Sequence, residues 1–169
     1  SSGSLTRIGA LAFKGARNTV SSLIFGRSSL PVLVEIGFNA FESFAGLLLF
    51  VDSPFPKLQS LGQNAFRQAS LERSTSALEI INHTSIQFVG SRSFDGFGGT
   101  VKVMGAMPSL RLIRNHAFQD TNRESVIEIH TLISLEDIEP SAFSGSQATV
   151  RFSGPAPRLK LDQIDSFVE

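Results

Sequence analysis

Apolar residues return along this chain in one recurring order: an apolar residue, two of any kind, a second apolar residue, three more, a small residue and then Phe. The order is met in LTRIGALAF (5–13), LVEIGFNAF (33–41), LQSLGQNAF (58–66), IQFVGSRSF (86–94), LRLIRNHAF (110–118) and LEDIEPSAF (135–143). Successive Phe stand 28, 25, 28, 24 and 25 residues apart, inside the period range of stacked-repeat architectures. A weaker copy ends at Phe167, with Asp162 in its second apolar slot, and reads as a degenerate end. Eight residues before each Phe come Leu5, Leu33, Leu58, Ile86, Leu110, Leu135 and Leu159; five before the first six come Ile8, Ile36, Leu61, Val89, Ile113 and Ile138. Each coil of such a stack buries its apolar edge only against its neighbours, so these columns predict interior ladders and a continuous spine of Phe.

Between each Phe and the next Leu lies a short alternating run: Leu23-Ile24-Phe25, Leu48-Leu49-Phe50, Leu78-Glu79-Ile80, Val101-Lys102-Val103, Ile127-Glu128-Ile129 and Val150-Arg151-Phe152. Alternation with a period of two predicts one strand per coil, and one strand per coil running the same way builds a parallel sheet. The expected architecture is an α/β solenoid over 1–169: a curved single-domain stack of about six repeats plus the degenerate end. Its parallel sheet is concave, and its convex side is made of short turns or helical turns.

Composition narrows the function classes. Fifteen Lys and Arg balance fifteen Asp and Glu, so no net basic field recruits nucleic acid or an anionic membrane. Cysteine is absent, which removes disulfides, thiolate metal sites and cysteine nucleophiles within these residues. No stretch reaches the roughly 18 uninterrupted apolar residues of a membrane span, so direct membrane insertion is not expected. The aromatic set is fifteen Phe with no Tyr or Trp, which points to filling of apolar space rather than to anchors with a polar tip.

The repeats resemble the leucine-rich repeat family, most closely the ectodomain type of glycoprotein-hormone receptors. The segment IEIHTLISLEDIEPSAF (127–143) carries that resemblance best. The elements IGALAF and IGFNAF are similar to surface repeats of the BspA type, a second match. The resemblance implies a non-enzymatic binding module, placed outside the cell or on its surface, in a receptor or adhesion protein. Two features depart from the family. Of the residues after each strand, only Asn82 offers the amide that ties neighbouring coils; and no Cys-rich cap flanks the stack, which suggests a fragment of a longer ectodomain.

Candidate chemistry is sparse. His83, His116 and His130 lie 33 and 14 residues apart, without the spacing of a metal site. No Ser sits in a nucleophile-elbow setting, and the Gly-rich stretch 95–99 lacks the Lys and the strand-turn-helix context of a phosphate cradle, so it reads as a turn. No catalytic residue, cofactor or metal is expected. Asn82-His83-Thr84 is a candidate glycosylation site.

The outward side chains of the sheet carry the binding expectation. The central strand residues form the column Ile24, Leu49, Glu79, Lys102, Glu128, Arg151, whose last four alternate in sign. That alternation either marks a recognition surface or only avoids like-charge repulsion. The next column runs Gly26, Val51, Ile81, Met104, His130, Ser153. Ile24, Leu49, Val51, Ile81 and Met104 together make an outward apolar patch, the kind of surface that marks an interaction site, provided the register of 47–51 is right. The expected function is protein binding through this concave face, by adhesion or ligand recognition; the alternative is a self-assembling component of an extracellular matrix or surface layer.

Overall fold

The computed structural model describes residues 5–16, 22–26, 30–52, 55–71, 75–83 and 85–159. It is a parallel β-solenoid of about six coils with two sheets. The short strands β1 (Arg7–Ile8), β3 (Glu35–Ile36), β5 (Ser60–Leu61), β7 (Phe88–Val89), β9 (Leu112–Ile113) and β11 (Asp137–Ile138) form the first sheet, stacked in chain order. The longer strands β2 (Ser22–Phe25), β4 (Leu47–Phe50), β6 (Ala77–Ile81), β8 (Thr100–Ala106), β10 (Val126–His130) and β12 (Thr149–Ser153) form the second, again in chain order. All pairings are parallel, each between neighbouring coils.

Between the sheets lies the apolar interior. Rings of Phe13, Phe41, Phe66, Phe94, Phe118 and Phe143 stack face to face, with centroids 5.0 to 5.7 Å apart. The ladders of Leu33, Leu58, Ile86, Leu110 and Leu135 and of Ile8, Ile36, Leu61, Val89, Ile113 and Ile138 are buried beside them. Leu5 is exposed in the first coil, and Leu159 packs against the edge of the core; Asp162 and Phe167 lie outside the described residues.

Each Phe amide from Phe13 to Phe118 donates to the carbonyl of the small residue before the next coil's Phe: Ala40, Ala65, Ser93, Ala117 and Ala142, at 2.7 to 2.8 Å. This bond locks the coils one to one at the spine. It also overturns the expected helical content, because the described residues contain no helix and the solenoid is all β. In each coil from the first to the sixth, the residues two before and two after the spine Phe are left-handed, as in Asn39 and Ser43 (φ 52° and 55°) or His116 and Asp120 (φ 55° and 51°). A right-handed helical run cannot pass through them. Amides there alternate instead between a local turn, as in Glu42 to Asn39 O at 3.3 Å, and a bond to the next coil, as in Ser43 to Arg67 O at 2.9 Å.

Four residues before the Phe, a Gly column lets neighbouring backbones touch. A Cβ on Gly62 would lie 2.6 Å from Gly37 C and Phe38 N, and one on Gly90 2.5 Å from Leu61 O. In the 95–99 stretch Gly96 supplies a positive φ of 61°, whereas Gly98 and Gly99 are required by close approach, each 2.1 Å from a serine carbonyl oxygen if given a Cβ.

Candidate functional site: the outer face of the second sheet

Burial along the long strands alternates as the pattern of apolar residues predicts. Leu48, Phe50, Leu78, Ile80, Val101, Val103, Ile127 and Ile129 point into the core. Leu49, Val51, Glu79, Ile81, Lys102, Met104 and Glu128 are half-buried on the outer face, while His130 and Arg151 are exposed and Ile24 is 62% exposed. The register of 47–51 is therefore the expected one with respect to faces.

Which outward residues are neighbours is a different matter. Ile24 pairs with Leu49 and Leu49 with Ala77; Glu79 pairs with Lys102 and Lys102 with Val126; Ile81 pairs with Met104, Met104 with Glu128 and Glu128 with Arg151. His130 pairs with Ala106 and Ser153. The two expected columns are thus each broken twice by a slip of two residues, between β4 and β6 and again between β8 and β10. A two-residue slip leaves every side chain on its own face, so alternation alone cannot detect it.

Buried serines mark both slips. Ser76 and Ser125, each immediately before a strand, stand opposite Leu48 and Val101, and their Oγ atoms accept those residues' amide hydrogens at 3.0 Å. Each serine satisfies an amide that an apolar residue there would leave without that acceptor. In the sequence these places read Ser-Ala-Leu and Ser-Val-Ile, where the coils of β4, β8 and β12 read Gly-Leu-Leu, Gly-Thr-Val and Ala-Thr-Val.

The slip splits the charge ladder. Glu79 and Lys102 form an ion pair at 3.1 Å, and Asp52 donates its amide to Glu79 Oε2 at 3.0 Å. Glu128 does not follow Lys102; it sits between Met104 and Arg151, the guanidinium 4.0 Å away. A longer ladder of alternating sign lies one residue after the spine Phe, where it was not anticipated. Lys14 meets Glu42 at 2.7 Å, Glu42 meets Arg67 at 3.2 Å, and Arg67 meets Asp95 at 3.2 Å. Asn39 Nδ2 also donates to Glu42, so this carboxylate is held by three coils. The same alignment that revealed the Phe spine contains this column.

The three histidines stand apart. His130 is exposed and its Nδ1 contacts Ser153 Oγ. His116 is half-buried in a turn. His83 is only 2% exposed and occupies an otherwise apolar interior column with Leu30, Phe55, Met107 and Leu132. Its Nε2 donates to Phe55 O at 2.5 Å, its ring lies 5.9 Å from that of Phe55, and its buried Nδ1 has no partner among the described residues. Burial holds its pKa below the ordinary imidazole value of 6.5, against the opposing effect of the bond to Phe55. Asn82, the candidate glycan acceptor, is exposed; its Oδ1 accepts the Ala106 amide at 3.2 Å, tying β6 to β8 as expected of that position. Thr84 lies outside the described residues. Compared with protein-family models, with curated proteins and with solved structures, the chain matches none.

Proposed function

We propose that this chain is a non-enzymatic, protein-binding repeat module of leucine-rich type, belonging to a secreted or cell-surface protein. Its partner docks on the outer face of the second sheet, and the apolar character of that face is the observation that supports the reading. Ile24 and Leu49 are side by side, as are Ile81 and Met104, and between them runs the ion pair of Glu79 and Lys102. Two outward apolar pairs flanking a satisfied charge pair resemble the centre of an interaction surface. A solenoid offers such a surface without chemistry of its own.

The test is retention of surface-protein partners on immobilised wild-type chain, compared with the variant Leu49→Asp/Met104→Asp and with Arg123→Glu, an exposed change in the turn before β10. The expected result is a partner retained by wild type and Arg123→Glu and lost by the double variant. Retention by the double variant refutes the assignment of the face. Concentration-dependent self-association in sedimentation, lost with the same variant, favours the self-assembling alternative.

A further inference from the structure

The first sheet carries a second, chemically distinct feature. Where the Gly column gives way to Arg114, a cleft of about 660 Å³ opens on the outer side, lined by Gln63, Phe88, Gly90, Ser91, Arg114 and Asn115. A second cleft of about 470 Å³ adjoins it across the same Phe88 ring and contains Leu112 and Arg158. Phe88 is one of the few Phe outside the core, half-exposed on β7.

The peptide groups around the cleft are already used between coils. Gly62 donates to Ile36 O at 2.8 Å, Asn64 to Ser91 O at 2.9 Å, Arg92 to Asn115 O at 3.1 Å and Arg114 to Val89 O at 3.0 Å. An added peptide strand would find no unpaired backbone edge among these groups. Arg114 is neutralised by Glu139 at 3.0 Å, and Glu139 also accepts the Asn115 amide at 2.8 Å, so a phosphate or sulfate meets no unopposed charge from this pair. What remains for a ligand is an aromatic side chain, two planar side-chain amides and the edge of a guanidinium, with the Ser91 hydroxyl, which donates to Asn115 O at 3.1 Å, left as an acceptor. Each amide offers paired donors and an acceptor, which match adjacent hydroxyl groups, and the ring offers an apolar platform. An uncharged molecule with a flat C–H face and vicinal hydroxyls satisfies all of these at once, and the cleft lies within the size range of small-ligand sites.

We propose that this cleft binds a neutral oligosaccharide, one pyranose ring lying on Phe88 and its hydroxyls bonded to Gln63, Asn115 and Arg114. The site is separate from the protein-binding face, because its residues lie on the first sheet and in the turns that follow its strands. The experiment is titration of the ¹⁵N-labelled chain with cellotetraose, maltotetraose and chitotetraose up to about 10 mM, the range that reads a millimolar dissociation constant. At least one glycan is expected to shift the signals of Gln63, Ser91, Arg114 and Asn115. Phe88→Leu and Asn115→Ala are each expected to weaken that binding about tenfold or more while the remaining amide spectrum keeps its dispersion. Asn115→Ala leaves the ring in place, so a folding defect in Phe88→Leu does not decide the matter. The proposal fails if no glycan shifts these signals, if the shifts fall elsewhere, if both folded variants bind as wild type, or if only a sulfated glycan binds and salt abolishes it.

Discussion

The spine side and the long-strand sheet are built from the same six repeats, yet their registers are set differently. Along the spine, each Phe ring stacks on the next at about one ring spacing, each Phe amide bonds the same carbonyl of the following coil, and bare Gly backbones touch. Equivalent residues of the alignment are neighbours there without exception. Along the second sheet, apolar residues only alternate, and the coils have slipped by two residues twice. Contacts specific in shape fix which residue meets which; alternation fixes only which face it occupies.

The largest test breaks the spine. Phe118 is fully buried between Phe94 and Phe143, with centroids 5.1 and 5.3 Å away. Phe118→Ala is expected to cost about 3–5 kcal/mol in denaturant unfolding, through lost burial and the cavity it leaves. Gly62→Ala comes next, because its Cβ would enter backbone 2.6 Å away; about 1–3 kcal/mol is expected. Gly9 holds the same place in the first coil, but no described residue lies within 4 Å of an added Cβ. Gly9→Ala should therefore stay within about 0.5 kcal/mol of wild type, and an equal loss at both positions would sink the close-approach account.

This difference also explains what the sequence made legible. The Phe spine, the Leu and Ile ladders and the outward face of Leu49 and Lys102 follow from spacing, because burial imposes a residue type on each position. The pairing of Glu128 with Met104 does not, since it depends on Ser125 at the strand's start and on no periodic signal. The all-β turns were hidden for another reason: left-handed Asn39, Arg92 and Ser141 have no residue type in common, and inter-coil bonds hold them there. The burial of His83 was equally unmarked, since it is the one polar member of its column. The Phe88 cleft required knowing where the Gly column ends in space.

Removing a serine tests the slip directly. Ser125→Ala leaves the buried Val101 amide without its acceptor and removes one of the two donors to Asn122 Oδ1, the Glu124 amide remaining, and about 1–3 kcal/mol of stability should be lost. Hydrogen exchange at Val101 should accelerate more than at Val103; unchanged protection at Val101 would show that the serine does not hold the register. His83 gives a pH-dependent counterpart. Its folded pKa lies below 6.5, so between the two values the unfolded chain binds more protons than the folded one. Stability should be level above that window, fall as pH drops through 6.5, and flatten below the folded pKa. In His83→Met, which copies Met107 of the next coil, the part of the slope that lies below pH 6.5 should diminish; an identical slope would assign it to other groups.

The smallest effect discriminates most finely between the two registers. In the expected column Lys102 lies between Glu79 and Glu128, whereas in the fold it meets Glu79 at 3.1 Å and Glu128 lies beside Met104 and Arg151. Lys102 is 41% exposed in its side chain, so solvent screens the pair and a coupling of only about 0.2–1 kcal/mol is expected. Double-mutant cycles with alanine at Lys102 and Glu79, and at Lys102 and Glu128, measure both contacts in one background. The first cycle should give a favourable coupling that shrinks in high salt, since the Debye length falls as ionic strength rises. The second should give a coupling near zero. Equal couplings in the two cycles would restore the unbroken column, and with it a continuous charge ladder across the middle of the proposed binding face.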